Sequence, residues 1–277
     1  MKDPTSFAGM LTILLVILSP LLLTAAVVFA SRNTRCIFKR EFLSYFNSPV
    51  LYVIVVIFLL AAQGFTFFFG RLLDSDNASL TQPFFFWQPW IYVVLAPAVG
   101  MRLWSEEHRL GTIELLMTMP VSSLQAILGK FFAAAMVWYI ALLLTFPVVI
   151  TVSYLGDPDV GPILTGYAAS YLYALGCLAV TSAASAYTRS QVVCFIVSVA
   201  LCIILTLIGY PGVVDFFIES VPAWMESWVR FISYLSFMDH FYEMSKGIFV
   251  LRDVLYFVSL IVVALAVTYL GLRSKRA

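Results

Sequence analysis

Residues 49–70 read PVLYVIVVIFLLAAQGFTFFFG and contain no charged side chain. A helix needs about 20 mostly apolar residues to cross the hydrocarbon core of a bilayer, and this stretch is long enough. Its apolar run is continuous, whereas a barrel strand would alternate polar and apolar positions over about ten residues. The stretch therefore predicts a transmembrane α-helix.

Further segments share this pattern, so the chain is predicted to be an all-α polytopic membrane protein. Composition agrees, because 62% of the 277 residues are hydrophobic and 11% are charged, compared with about 25% charged residues in soluble domains. A soluble enzyme and a nucleic-acid-binding protein are excluded, since lipid must cover much of the apolar surface. The other predicted spans are Gly9–Ala30, Phe84–Met101, Phe131–Leu155, Leu164–Tyr187, Gln191–Gly209 and Val254–Leu272.

The loops that join these segments differ in charge from one side of the membrane to the other. When they are assigned to alternating sides, eleven of the 16 lysines and arginines fall on one side and five on the other. Short cytoplasmic loops carry an excess of basic residues. We therefore expect the C-terminus to lie in the cytoplasm and the N-terminus outside.

The first segment has a second interpretation, because Val28-Phe29-Ala30 fits a signal-peptidase site. A cleaved signal would place the basic residues from Arg32 to Arg40 outside and reverse every later loop, which favours a retained helix. A mis-assigned start of the chain is a third interpretation. The chain thus divides into an extra N-terminal transmembrane helix or signal-like segment over 1–31 and a transmembrane domain over 32–277.

The seven predicted spans contain no Asp, Glu, Lys, Arg or His. Ion-coupled transport usually needs a titratable or ion-binding group near the midplane, so a secondary transporter is disfavoured. Gly129-Lys130 lacks the upstream glycine of a phosphate-binding loop and is followed by Phe131. An ATP-driven function would therefore require a separate ATPase subunit that binds a cytoplasmic surface of this chain.

The best candidate surface is residues 102–130, which read RLWSEEHRLGTIELLMTMPVSSLQAILGK. We expect Ser105 to cap a helix whose first turn contains acidic residues. Gly111 is expected to kink this helix or divide it, and Pro120 to end it. The run from Ser122 to Gln125 fits a capping box that starts the next helix. Two interpretations stay open: a hairpin that lies on the membrane surface, and a lever joined to two spans.

The same loop contains Arg102, Glu106-Glu107, Gly111-Thr112, Glu114-Leu115-Leu116 and Pro120-Val121-Ser122. Together these residues resemble the cytoplasmic signature of ABC-2 type transporter permeases. Further stretches resemble the branch of that family associated with gliding-motility operons, and the resemblance covers about Arg35–Arg276. These stretches are Lys39-Arg40-Glu41, Tyr45–Pro49, Pro83–Trp90, Leu95–Arg102, Leu128–Lys130 and Leu251–Phe257.

The resemblance implies a six-helix ABC-2 permease bundle, to which this chain adds one N-terminal transmembrane helix. It implies the permease subunit of an ATP-driven exporter in the bacterial inner (cytoplasmic) membrane. The implied partners are an ABC ATP-binding subunit, a second permease subunit in a homodimer or heterodimer, the lipid bilayer and a periplasmic accessory protein, but not nucleic acid. ATP and Mg would be bound by the partner subunit, so no catalytic residue, metal or cofactor is expected in this chain. A non-transporting scaffold or assembly factor is the alternative.

The resemblance also implies which residues contact the ATP-binding subunit. An elbow helix over Arg35–Phe46 would support this contact through Lys39, Arg40 and Glu41; the alternative is a basic flank that anchors the chain to anionic lipid. The stretch that includes the coupling helix contributes Arg102, Glu106, Glu107, Gly111, Thr112, Glu114, Leu115 and Pro120.

On the opposite side, Phe217–Leu235 has an amphipathic pattern that suits the outer interface or a re-entrant helix. The candidate residues of an outer gate or interface are Trp224, Trp228, Asp239 and Glu243. His240 beside two carboxylates also raises a metal hypothesis, but a salt-bridged turn is favoured. The substrate is not identified; an apolar, charge-free path suggests lipids, peptides or amphiphiles.

Overall fold

The computed structural model describes residues 24, 31–73, 79–114, 121–156, 158–220, 226, 228, 233–247 and 250–273. Within these residues the regular structure is helical and includes no strand. The first predicted span, Gly9–Ala30, lies outside the described residues apart from Thr24, so the extra N-terminal helix stays a prediction. Leu115, Pro120 and Trp224 also lie outside them.

Eleven helices are numbered here in chain order. A π-helical turn at Phe65–Phe69 extends α2, and a 3₁₀ turn at Phe85–Trp87 leads into α3. The helices are α1 Arg32–Asn47, α2 Pro49–Gly64, α3 Gln88–Gly100, α4 Arg102–Leu110, α5 Ser123–Leu143, α6 Pro147–Leu155, α7 Val160–Tyr187, α8 Gln191–Leu207, α9 Pro211–Ser220, α10 Phe237–Ser245 and α11 Leu251–Arg273.

Among the described residues, four helices are long and apolar enough to cross a membrane: Pro49–Phe69, Ser123–Leu155, Val160–Tyr187 and Leu251–Arg273. A fifth is added if Gln191–Leu207 and Gly212–Glu219, which meet at 74°, form one bent span. The all-α polytopic membrane fold is thus confirmed. The predicted span at Phe84–Met101 corresponds to α3, whose 13 residues are short for a span by themselves.

Helix α7 lies at the centre of the described structure. It packs against α3, α5, α8, α10 and α11, and 67% of its apolar stretch is buried, compared with 22% for α11. Its small side chains permit this: a Cβ added to Gly166 would lie 2.5 Å from the ring of Phe85. Small residues let helix backbones approach closely in a bilayer, which explains the central place of α7.

Helices α2 and α8 present apolar side chains to the surroundings. Leu60 of α2 is 69% exposed and Ile196 of α8 is 61% exposed. Exposure of such apolar faces to water is unfavourable, whereas lipid chains or another apolar helix would cover them. Both helices therefore lie at the edge of the bundle.

The start of α4 corrects one sequence prediction. Ser105 is not an N-cap, because α4 already begins at Arg102 and the hydroxyl of Ser105 donates to the carbonyl oxygen of Met101. Met101 has helical dihedrals (φ −57°, ψ −27°), so the chain passes from α3 to α4 without the extended residue that an N-cap requires. The predicted capping box before α5 is present: Ser122 Oγ accepts from the N–H of Gln125 at 3.3 Å.

Candidate coupling site

Helix α4 is held against the end of α7 by a single serine. The hydroxyl oxygen of Ser185 accepts hydrogen bonds from the backbone N–H groups of Trp104 at 2.9 Å and Ser105 at 3.0 Å. N–H groups in the first turn of a helix have no partner within the helix, so Ser185 satisfies the Trp104 donor that α4 would otherwise leave unpaired. His108 Nε2 lies 3.0 Å from the carbonyl oxygen of Ala186 and adds a second contact.

The first residue of α4 also reaches the junction of α1 and α2. Arg102 Nη1 donates to the hydroxyl oxygen of Ser48 at 3.0 Å. The Nε atom of the same arginine lies 3.4 Å from Glu106 Oε2, and Arg109 Nη2 lies 3.9 Å from Glu106 Oε1. These pairs are partly exposed, so each contributes at most about 1 kcal/mol. They orient the side chains of α4 more than they stabilise the fold.

A group of charges around the buried Lys130 joins three helices and is called here the Lys130 cluster: Glu41 of α1, Glu107 of α4 and Lys130 of α5, together with Arg40 of α1, which is half exposed. Lys130 Nζ lies 2.9 Å from Glu107 Oε1 and 3.2 Å from Glu41 Oε1. Arg40 Nη2 lies 2.7 Å from Glu41 Oε1 and 3.8 Å from Glu107 Oε1. Two cations thus balance two carboxylates.

Burial makes the electrostatics of this cluster strong. The side chain of Lys130 is 4% exposed, against 15% for Glu107 and 19% for Glu41. Lys130 Nζ also lies 5.3 Å from the centre of the Trp104 ring, within the range of a cation–π interaction. Burial raises the pKa of Glu41, but the charges of Lys130 and Arg40 and their hydrogen bonds outweigh it, so the pKa lies below its ordinary value.

Helix α1 packs closely against α5. A Cβ added to Gly129 would lie 2.9 Å from Ile37 Cγ2 and 3.2 Å from the carbonyl oxygen of Thr34. Gln125 Nε2 donates to Ser31 Oγ at 3.0 Å. The glycine therefore permits a close approach of the two helices that a larger residue would prevent.

The aromatic residues of α1 form a separate, half-buried stripe. The rings of Phe38 and Phe42 stack at 5.6 Å, and those of Phe42 and Phe46 meet edge to face at 4.9 Å. The buried residues of α1 are instead Thr34 and Ile37, which sequence reasoning missed. Their contact depends on Gly129, which lies far away in sequence.

The predicted coupling residues fall into two groups. Arg102, Glu106 and Glu107 take part in the contacts given above, and Glu107 brings the loop together with the elbow residues Arg40 and Glu41. The other described residues, Gly111, Thr112 and Glu114, are exposed, as is Lys39. Gly111 ends α4 with a left-handed φ of 70°, and the chain is helical again from Thr112.

A second buried polar contact, called here the His240 pair, joins the start of α11 to α10. Asp253 is completely buried, and its Oδ1 lies 2.7 Å from His240 Nδ1 and 3.3 Å from Arg252 Nε. His240 Nε2 lies 3.0 Å from the carbonyl oxygen of Tyr234, and the imidazole stacks on Tyr256 at 3.9 Å. The pair fixes α10 against the first turn of α11.

Of the predicted outer residues that the structure describes, Asp239 and Glu243 lie on α10 with His240 but do not form the pair with Asp253. Glu243 pairs with Lys246 at 2.7 Å, and both side chains are about half exposed. Burial raises the pKa of Asp239, while the charge of His240 opposes that rise. Trp228 is 60% exposed. In the part of the chain that the structure describes, no three His, Cys, Asp or Glu residues are placed to hold a metal ion.

An apolar cavity of about 110 Å³ lies between α5, α6 and α7. Three tyrosines, Tyr139, Tyr167 and Tyr171, contribute to its wall, and no charged side chain lines it. The hydroxyl groups of Tyr167 and Thr145 lie 3.1 Å apart, where the chain turns from α5 into α6. The cavity suits an uncharged, mainly apolar occupant.

The fold defines a multi-pass membrane protein. Its polar loop between α3 and α5 is joined to the neighbouring helices by the charged contacts of the Lys130 cluster. A family model described as ABC-2 family transporter protein matches residues 35–276. The chain therefore belongs to the ABC-2 transporter family and is a membrane transport component. The match begins within α1 and extends past α11, and it leaves out the first predicted span. No curated protein matches the chain.

Proposed function

We propose that this chain is the permease subunit of an ATP-driven ABC exporter. It would couple ATP hydrolysis by a separate ATP-binding subunit to the movement of a substrate across the membrane. One observation carries the proposal: the segment that follows α4, called here the tip of α4 (residues 111–114), is exposed at Gly111, Thr112 and Glu114. Helix α4 itself is fixed to α1, α5 and α7 by buried polar contacts. An exposed tip on an anchored helix is suited to receive force from a partner.

In this scheme two permease subunits, identical or homologous, form the path, and two ATP-binding subunits dock on residues 106–121. Family membership supports the scheme, because ABC-2 permeases normally work with such a subunit. ATP and Mg would be bound by the partner. Closure of the ATP-binding subunits would favour one of two permease conformations, since a ligand shifts an equilibrium by its differential affinity for the two states.

The proposed location is the bacterial inner membrane, with the C-terminus in the cytoplasm. The distribution of basic residues supports this orientation. Trp224, Trp228, Asp239 and Glu243 would then lie at the outer interface or an outer gate, where a periplasmic accessory protein could bind. The uncharged cavity beside α6 supports an amphiphilic or lipid-like substrate. Membership of the gliding-motility branch stays a prediction, and a non-transporting scaffold is the competing hypothesis.

We expect an ABC ATP-binding subunit to be encoded beside this chain. Co-purification with that subunit, followed by ATPase assays in lipid, tests the proposal. Glu114→Lys reverses an exposed charge at the tip of α4 and should reduce complex formation or ATPase activity several-fold. Glu219→Lys is the matched control, because Glu219 is also exposed but belongs to α9. The proposal is wrong if no ATP-binding subunit binds the wild-type chain. Equal loss in both variants would contradict the assigned docking surface.

A further inference from the structure

We propose that Lys130 is a positioning residue that fixes α1 and α4 relative to α5, so that the three helices move together. The consequence of this for transport rests on the function proposed above. The fixed placement of the three helices does not depend on that function. Lys130 lies at the predicted border of a span, where a lysine ordinarily extends its amine to water. Here its side chain is 4% exposed and contacts carboxylates from two other helices.

The packing of the helices shows why such a joint is needed. Helix α1 packs chiefly on α5, whereas α4 packs chiefly on α7 and also touches α8 and α3. The backbones of α4 and α1 are therefore held by different neighbours. Lys130 bridges the two groups, since one ammonium contacts Glu41 of α1 and Glu107 of α4. Two further links are described between them: the hydrogen bond from Arg102 to Ser48, and the 3.8 Å pair of Arg40 with Glu107, in which Arg40 is half exposed.

The energetics of buried ion pairs favour a positioning role over a purely stabilising one. Desolvation cancels much of the attraction in such a pair, so its net contribution to stability is small. The geometry of the contacts is nevertheless tightly constrained, because a helix movement that separated the charges would leave an unpaired buried charge, which is strongly disfavoured. One oxygen of Glu107, Oε2, is buried without a hydrogen-bond partner in the described structure. The cluster therefore has little freedom to rearrange around Glu107 if Lys130 is lost.

The transport consequence follows from the same contacts. A force applied to the tip of α4 would pass through Glu107 and Lys130 to α5, and through Glu41 to α1. Without the ammonium, α4 would move while α5 stayed behind. ATP hydrolysis would then continue without productive export.

Distances between spin labels test the joint directly. Cys36 of α1 is exposed, and the other cysteines, Cys177, Cys194 and Cys202, are buried. Cys36 therefore serves as a native labelling site, and Leu110→Cys places a second label at the end of α4, where the side chain is 62% exposed. Labelled full-length chain is mixed with an excess of unlabelled chain, so that distances within one chain are measured.

We expect a narrow distance distribution in the otherwise wild-type chain and a distribution at least twice as broad in Lys130→Met. Lys130→Arg retains the charge and should keep the distribution narrow. If Lys130 acted only through packing, the differently shaped arginine would broaden the distribution as well. Arg189→Met is the matched control, because it removes an exposed cation between α7 and α8. A narrow distribution in Lys130→Met would overturn the proposal.

A second variant covers the case in which Lys130→Met does not fold. Lys130→Met combined with Glu107→Gln removes one cation and one carboxylate and leaves Glu41 beside Arg40 at 2.7 Å. Because the remaining charges balance, we expect this variant to fold while the joint is lost. We expect this double variant to give the same broad distribution, and a narrow one would overturn the proposal.

The ATPase assay separates this inference from the proposed function. In complex with the ATP-binding subunit, Lys130→Met should hydrolyse ATP at a rate within about twofold of wild type. Nucleotide should change the distance between a label on α4 and one on α5 in this variant, whereas the distance should stay constant in the wild type, where the two helices move together. A complex that fails to form even with wild-type chain contradicts the proposed function, yet the label distances still decide whether Lys130 is the joint.

Discussion

The Lys130 cluster and the His240 pair are each centred on one buried ionisable side chain, Lys130 and Asp253, but they connect different parts of the chain. The Lys130 cluster places one cation between carboxylates from helices that lie far apart in sequence. The His240 pair places one carboxylate, Asp253, between the imidazole of His240 and the guanidinium of Arg252. The first therefore sets the placement of whole helices, and the second sets the local path of a connection. Mutations should separate these two effects.

The largest expected effect comes from Lys130→Met. The change leaves Glu41 and Glu107 buried with Arg40 as their remaining close cation, and removal of one partner from a buried pair costs about 3–5 kcal/mol. Thermal and denaturant unfolding in detergent measure the loss. Adding Glu107→Gln should recover part of it, because fewer unpaired charges then stay buried. No recovery in the double variant would contradict the explanation by unpaired charge.

Asp253→Asn should have a smaller and local effect. The amide oxygen can still accept a hydrogen bond from His240, but the ionic attraction is lost, so the expected cost is about 1–3 kcal/mol. Hydrogen exchange should increase in α10 and at the start of α11 and stay unchanged in α4. Glu243→Gln, which alters a half-exposed pair on the same helix, is the control. Increased exchange in α4 would show that the two regions are not independent.

Gly129→Ala tests the contact between α1 and α5 without changing any charge. The added Cβ would lie 2.9 Å from Ile37 Cγ2, and such overpacking costs about 1–3 kcal/mol. Gly64→Ala is the matched control in α2, because nothing lies within 4 Å of an added Cβ there. That change should leave stability equal or raise it by up to about 1 kcal/mol. Equal effects at both positions would show that α1 does not pack tightly on α5.

The smallest expected effect is a pH dependence that belongs to Glu41. Its pKa in the folded chain lies below the ordinary value of 4.5, so folding favours the charged form. This contribution is present above the ordinary value and is lost as the pH falls through the lowered one. The difference in melting temperature between wild type and Glu41→Gln should shrink from about pH 7 to about pH 3. A constant difference over that range would contradict the role of the charge.

Much of the fold could be predicted from the sequence, because apolar runs of the right length determine spanning helices. The prediction Leu164–Tyr187 corresponds to α7 at Val160–Tyr187, and Val254–Leu272 to α11 at Leu251–Arg273. The capping box at Ser122 was also readable, since it depends on neighbouring residues.

The cluster that joins the helices could not be predicted in the same way. Lys130 reads as an ordinary basic residue at the edge of a span, and its burial depends on Glu41 and Glu107 from distant parts of the chain. Ser185 gave no signal, because a serine within an apolar helix has many roles. Ser105 was predicted to be a cap because a serine followed by acidic residues is typical of a helix start. The prediction was wrong because α3 passes into α4 through Met101, whose dihedrals are helical.

Photo-crosslinking from the tip of α4 tests the central claim most directly. A photoreactive amino acid replaces Thr112, which is exposed, in the full-length chain expressed with the ATP-binding subunit that it is proposed to bind. The account predicts a crosslink from position 112 to that subunit, and none from the same residue placed at exposed position 219 of α9. An intact complex that crosslinks from position 219 but not from position 112 would contradict it.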